Sequence, residues 1–303
     1  MPAFACKAHA KINLALHVTG QRPDGYHQIE TLVTFAEVHD LVTVATAKQR
    51  GVANSLDVSG PFAGALEPEG SNLALDGASA ILEHVPEAWR PPLVVELEKN
   101  LPVASGIGGG SADAAAAILS TARLAGIDNR QAMLDAARRL GADVPMCLHS
   151  SPLVARGIGE IIESVNLPAF DLLLVNPGIA VSTPEVFRAL RSRENPPLPP
   201  MPGDPGDPAR IASYLGECAN HLEEPALSLS PVIGDVLEAL RARPGTLIAR
   251  MSGSGATCFA IHESAESCHS AAEVILKAHP QWWVSATRTI RGQDDYRERS
   301  WQA

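Results

Sequence analysis

Residues 102–113 read Pro-Val-Ala-Ser-Gly-Ile-Gly-Gly-Gly-Ser-Ala-Asp, and no other stretch restricts the fold as strongly. Gly106, Gly108, Gly109 and Gly110 fall within five positions, between an apolar β-rich run (93–97) and an alanine-rich run (114–119) that reads as a helix. A strand, a glycine loop and a helix N-terminus in that order form an anion site. Glycine lets the backbone approach phosphate oxygens and turn its N–H groups toward them. The helix end adds unpaired N–H groups and the positive pole of its dipole. Ser111 places a hydroxyl within reach of a phosphate or its Mg²⁺, and the expected ligand is a nucleoside triphosphate. No lysine follows Gly110, as a P-loop requires, and the dinucleotide pattern fails at Ser111. A plain glycine turn capping a helix is the alternative. Ser111 and Asp113 at the helix entry weigh against it.

Composition bounds the rest. With 303 residues, 46% of them hydrophobic, the chain suffices for two ordinary domains. A net charge of −10 argues against a nucleic-acid partner, so donors for an anionic ligand must be gathered locally. Five scattered cysteines without a Cys-x-x-Cys pair fit a reducing cytoplasm. Lys7, His9 and Lys11 interrupt any apolar leader, and no run of about 18 apolar residues spans a membrane. His262, Cys268 and His269 only loosely suggest a metal site, and the segment reads as a solvated helix start, so no structural metal is expected. Monomer and weak dimer are equally open.

Strand patterns cover 10–18, 29–35, 41–45 and 93–97, and helical patterns 72–82, 112–125 and 130–140, the last two stopped by Gly126 and Gly141. The second half starts near Gly159. It offers strands at 172–175, 247–250, 258–261 and 282–289, a short helix at 184–190 with Thr183 as N-cap, and an amphipathic stretch at 230–240. Residues 195–208 hold seven prolines and read as a loop or flap, and the charged tail from Gln293 as loosely held. The expectation is an α+β chain with domains at 1–158 and 159–303.

Phosphoryl transfer needs a phosphate cradle, a cation, an acceptor hydroxyl and often a base. Asp143, between Gly141 and Pro145, is the base candidate; its competing role is an N-cap ahead of Val144-Pro145. Strand alternation sets Lys11, Asn13 and Ala15 on one face and Ile12, Leu14 and Leu16 on the other. On that reading alone the polar face meets solvent. Tyr26 and His27 follow an Asp24-Gly25 turn, ordinarily mere surface, and Lys99 is equally an ordinary solvated lysine at a strand end.

Pro-x-x-x-Gly-x-Gly-Gly-Gly-Ser resembles the phosphate loop of the GHMP kinases. Lys11-Ile12-Asn13-Leu14 with Arg22-Pro23-Asp24-Gly25-Tyr26-His27 narrows the resemblance. So do Gly141-Ala142-Asp143-Val144-Pro145, Asn176-Pro177-Gly178, Ser182-Thr183-Pro184 and Gly253-Ser254-Gly255-Ala256-Thr257. Together they look like the branch that phosphorylates the 2-hydroxyl of a cytidine-diphosphate-linked methylerythritol in non-mevalonate isoprenoid synthesis. The resemblance implies a ribosomal-S5-like N-terminal domain, a ferredoxin-like C-terminal domain, ATP as co-substrate and Mg²⁺. It implies a cradle of Pro102, Val103, Ala104, Ser105, Gly106, Ile107, Gly108, Gly109, Gly110, Ser111 and Ala112, with Ser111 near the metal and Asn72 and Lys99 near adenine and ribose. Lys11 would stand beside the base Asp143, and Asn13 would hold the erythritol. Tyr26 and Phe187 would stack on the two faces of cytosine, His27 would bond its edge, and Thr183 would join the acceptor site. Three departures stand out: Ala112 where a second hydroxyl is usual, His149-Ser150-Ser151-Pro152 where glycines are usual, and Asn220-His221-Leu222-Glu223 for Asn-Asp-x-Glu.

Overall fold

Long β-rich runs at the N-terminus pair as one hairpin. The computed structural model describes residues 2–48, 52–66, 71–203 and 206–291; the tail from Gln293 lies outside them. β1 (Ala3–Gln21) and β2 (His27–Thr46) run antiparallel, joined by a turn in which Gly25 takes φ 91°. The two runs expected at 29–35 and 41–45 are therefore one strand. The polar residues between them interrupt the sequence pattern but not the ladder. β3 (Ser55–Ser59) lies parallel to β4 (Leu93–Glu98), which pairs with the second half of β2. β5 (Leu153–Gly157) pairs with the first half of β2, and β6 (Ile161–Ser164) with β5. The first sheet thus runs past Gly159 and closes at Ser164.

Four helices pack with this sheet: α1 (Leu73–Leu82), α2 (Gly109–Ala125), α3 (Arg130–Leu140) and α4 (Val144–His149). The alanines of α2 bury with Val33, Phe35, Val42, Val44 and Val95 in the first core. Small side chains also let helices touch by backbone: a Cβ on Gly77 of α1 would sit 2.6 Å from the Ala114 carbonyl of α2. Asn72 caps α1, accepting from the Ala74 N–H at 2.9 Å, and Gly126 ends α2 in the left-handed conformation. Gly141 instead follows α3 at φ 158°, ψ 160°, extended rather than in the expected left-handed turn.

The second half comprises β7 (Asp171–Asn176), α5 (Thr183–Arg188), α6 (Pro208–Gly216), α7 (Glu223–Leu229), α8 (Val232–Arg241), β8 (Thr246–Met251), β9 (Cys258–His262), α9 (Ala265–Ala278) and β10 (Trp283–Arg288). Its sheet has the order β10-β7-β9-β8, antiparallel throughout, and with α8 and α9 it makes the β-α-β-β-α-β pattern of a ferredoxin-like domain. The N-cap of α5 is Ser182, not Thr183. His262 is a buried strand residue, not a solvated helix start; α9 begins after Ser264, which caps it.

A third core joins the halves. Ile12 and Leu14 of β1 pack with Leu172, Leu174, Phe259 and Ile261 of the second sheet. Single β-bridges, Leu16 to Asn220 and Ala36 to Thr289, stitch the same seam. The five cysteines are buried: Cys6 and Cys147 in the first core, Cys258 and Cys268 in the second, Cys218 in the seam. Among the described residues no helix is long and apolar enough to cross a membrane.

Candidate active site

Two irregularities in the β1–β2 ladder shape the site, the first with extra residues on β2 (36–38) and the second a bulge in β1 at Leu14. The register shifts between His9 and Lys11, and again between Asn13 and Ala15. A bulge inserts one residue and re-aims the side chains beyond it. Ala15 thereby joins Ile12 and Leu14 in the seam core, and Leu16 instead lines the cavity with Lys11 and Asn13. The alternation expected beyond Asn13 is thus inverted. Nor does the polar face meet bulk solvent: Lys11 is 3% exposed and Asn13 2%.

These two residues anchor a polar chain. Lys11 Nζ donates to Asn13 Oδ1 at 2.9 Å and lies 3.2 Å from Asp143 Oδ2. Asn13 Nδ2 donates to Thr31 Oγ1 at 2.8 Å, and Thr31 Oγ1 donates to the Ala15 carbonyl at 2.7 Å. Asp143 occupies the N-cap position of α4, but its side chain makes no capping hydrogen bond. Its carboxylate is 42% exposed and turns to Lys11 instead, so the capping role is not what the side chain does.

The glycine loop meets this pair. The Lys11 N–H donates to the Ile107 carbonyl at 2.9 Å. Gly106 and Gly108 are left-handed at φ 77° and 64°, and α2 opens directly on Gly109. A Cβ on Gly106 would lie 2.6 Å from the Ser252 carbonyl and 2.7 Å from Gly255 N, so only glycine fits. Ser252 Oγ donates to the Gly106 carbonyl at 3.1 Å, and the Ser105 carbonyl accepts from Thr257 N. The turn 252–255 of the second domain therefore braces the cradle. Ser254 of that turn bonds Thr183 at 2.7 Å, which draws Thr183 to the cavity wall.

The cavity between these parts holds about 970 Å³. Ala104, Ser105, Gly106 and Gly108 to Ser111 line it on one side, with Lys11 and Asp143, and Tyr26, His27 and Phe187 line it on another. Tyr26 is 62% exposed, whereas His27 and Phe187 are stacked with centroids 4.7 Å apart. His27 lines the cavity, but its Nε2 is itself buried and has no hydrogen-bond partner among the described residues. Burial, and then the nearby Arg193 charge, lower the His27 pKa. A smaller cavity of about 190 Å³ shares Ala104, Gly109 and Gly110 with the first and adds Asn72, Pro102, Val103 and Lys99. Ile107 and Ala112 do not face either cavity; both are buried in the cores.

Lys99 is not a solvated lysine. It is 2% exposed and its Nζ lies between Asp40 Oδ2 (2.5 Å) and Asp113 Oδ2 (2.7 Å). Asp40 Oδ1 also accepts from the N–H groups of Asn100 and Leu101, fixing the entry to the loop. Burial works against the ammonium, but Asp113 and Asp40 outweigh it and raise the Lys99 pKa. Asp113 is pushed up to about 8, first by burial and, against the Lys99 charge, by Asp40. Sequence reasoning missed Asp40, one of the polar residues in the break between the two expected strand runs. It also missed Thr31 and Ser252, which carry no chemistry by themselves, whereas Ser254 stood in the Gly253–Thr257 motif.

The family models described as GHMP kinases N terminal domain and GHMP kinases C terminal match residues 72–151 and 187–280. The chain is 48% identical over 288 residues to the 4-diphosphocytidyl-2-C-methyl-D-erythritol kinase of Rhizobium etli (strain CIAT 652), covering 94% of this chain and 95% of that one. It is 49% identical over 286 residues to the enzyme of the same name from Chelativorans sp. (strain BNC1), with the same coverage. A crystal structure of 4-(cytidine 5'-diphospho)-2C-methyl-D-erythritol kinase superposes with a TM-score of 0.76 at 33% identity, over 94% of this chain and 99% of that one. The chain belongs to the 4-diphosphocytidyl-2-C-methyl-D-erythritol kinase family. Homoserine kinase from Cytophaga hutchinsonii shares the fold at 19% identity and a TM-score of 0.70.

Proposed function

We propose that this ATP-dependent kinase transfers the γ-phosphoryl group of ATP to the 2-hydroxyl of 4-diphosphocytidyl-2-C-methyl-D-erythritol, giving the 2-phosphate and ADP. The observation that carries the reading is the Lys11–Asp143 pair, 3.2 Å apart between the glycine cradle and a cavity walled by Tyr26, His27 and Phe187. The N–H groups of the first α2 turn and the left-handed glycines hold the phosphates. Asp143 accepts the proton of the attacking hydroxyl, and the acceptor oxygen then bonds to the γ-phosphorus as the bond to ADP breaks. Lys11 pairs with the carboxylate and steadies negative charge on the acceptor oxygen. Asn13, held by Thr31, presents its amide to the acceptor alcohol. Tyr26 and Phe187 take the cytosine, with His27 on the same wall at its polar edge. Asn72, Pro102 and Val103, at the smaller cavity, take the adenosine end of ATP.

Magnesium fits as a companion of ATP. Ser111 offers a hydroxyl on the first turn of α2 at the cavity wall. No cluster of three or more His, Cys, Asp or Glu side chains able to hold a metal occurs among the described residues. A phosphate-borne ion needs few protein ligands and would shield charge on the transferred group. The five thiols form no disulfide, as suits a reducing cytoplasm. ADP release measured with the cytidine-diphosphate acceptor, with homoserine and with mevalonate tests the reading. Turnover is expected with the first alone; turnover with either of the others and not the first rejects it.

A further inference from the structure

The proline-rich segment after α5 is fastened to the first domain. Asn195 Nδ2 donates to the Val18 carbonyl at 2.8 Å, and His17 Nδ1 to the Pro196 carbonyl at 2.9 Å. The Leu198 N–H donates to Glu30 Oε2 at 3.0 Å, and the Tyr214 hydroxyl to the Pro199 carbonyl at 2.9 Å. Four bonds from β1, β2 and α6, with prolines restricting φ between them, make this a fixed strap and not a loose flap. Its leading end carries Arg193 to the mouth of the large cavity.

Arg193 is exposed there and makes no ion pair or hydrogen bond among the described residues. The other charges at that mouth are matched: Asp24 with Arg22 at 2.8 Å, and Arg188 with Glu185 at 4.0 Å. Arg193 lines the same cavity as His27 and Phe187, and its charge adds to burial in lowering the His27 pKa. It therefore stands by the aromatic wall. A net charge of −10 repels anions at long range, so an anionic acceptor needs a cation placed locally.

We propose that Arg193 is a specificity-determining residue that binds the diphosphate of the acceptor, so that the enzyme selects a nucleoside diphosphate ester over the free alcohol or a bare nucleoside. The inference rests on the cytidine-binding reading above. A guanidinium presents paired donors to phosphate oxygens where an ammonium presents a point charge. The strap restricts the backbone that carries it and so lowers the entropy lost on binding.

The test uses CDP and cytidine as calorimetric probes, with the ATP site filled by a non-hydrolysable analogue. The full-length wild type, R193A and R193K are compared. Wild type is expected to prefer CDP to cytidine. R193A should lose about tenfold in CDP affinity, the low end for a charge-assisted bond at an exposed site, and leave cytidine affinity alone. R193K should fall between them. In turnover the loss should appear in the acceptor KM and not in that of ATP. Equal CDP affinity in R193A and wild type overturns the assignment, as does an equal loss for cytidine. Binding of neither probe to wild type overturns the cytidine pocket itself, and the inference with it.

Discussion

At the scale of single residues, Asp143 separates two roles that its position alone allows. Its side chain forms no helix cap and pairs with Lys11. Asp143→Asn, which still offers Lys11 a polar oxygen, should change the melting temperature little, whereas kcat falls by about 10²–10⁴-fold, the range of general-base contributions. Full activity in Asp143→Asn, measured by steady-state kinetics, removes the base assignment. Lys11→Met should show a similar loss, and the double variant less than the product of the two, because the residues act as one unit. Asp113 gives a second prediction. Its pKa rises from 3.8 to about 8 on folding, so the folded chain holds a proton that the unfolded chain has released between those limits. Stability from this group is full below about pH 4 and is lost as pH rises through about 8. Its Oδ1, buried without a hydrogen-bond partner among the described residues, is better tolerated on a neutral acid than on an ion. Asp113→Asn should flatten the fall of melting temperature across that window relative to wild type. Parallel curves for the two proteins would show that Asp113 does not carry the proton.

At the scale of elements, the cradle is a joint between two turns, not a surface loop. Gly106→Ala puts a Cβ at 2.6 Å from the Ser252 carbonyl and forces a left-handed non-glycine residue. About 2–4 kcal/mol of destabilisation is expected together with loss of ATP-analogue binding, read by urea unfolding and calorimetry. Gly109→Val would not spare the fold as a surface change would, because its Cβ would stand 3.1 Å from the buried Lys99 Nζ. This is where the sequence stops being legible. The strand-loop-helix order, α1, α3 and the second sheet are written in local pattern and in glycine placement. The catalytic pair is visible as residue types, but only the fold brings Lys11 and Asp143 together. The single long β2 was hidden because Ala36 to Asp40 breaks the apolar run, and Asp40 is polar for a tertiary reason, its contact with Lys99. The bulge after Asn13 was hidden because two adjacent apolar residues can sit on either side of a kink, and register is settled by the partner strand.

At the scale of the whole molecule, the two domains share a core as well as a cleft. Leu14 is fully buried in the seam between the sheets. Leu14→Ala should cost about 2–5 kcal/mol and destabilise both halves together. Circular dichroism and tryptophan fluorescence should follow one urea transition in wild type. Two separated transitions would show that the seam does not couple the domains. The distribution of cysteines has a practical consequence. Each of the three cores encloses at least one thiol: Cys6 and Cys147, Cys258 and Cys268, and Cys218 between them. The native enzyme should ignore an alkylating reagent, and whichever core opens first should announce itself by the mass tag on its own cysteine. The chain thus carries an intrinsic set of site-resolved clocks for its own breathing, and no label need be engineered into it.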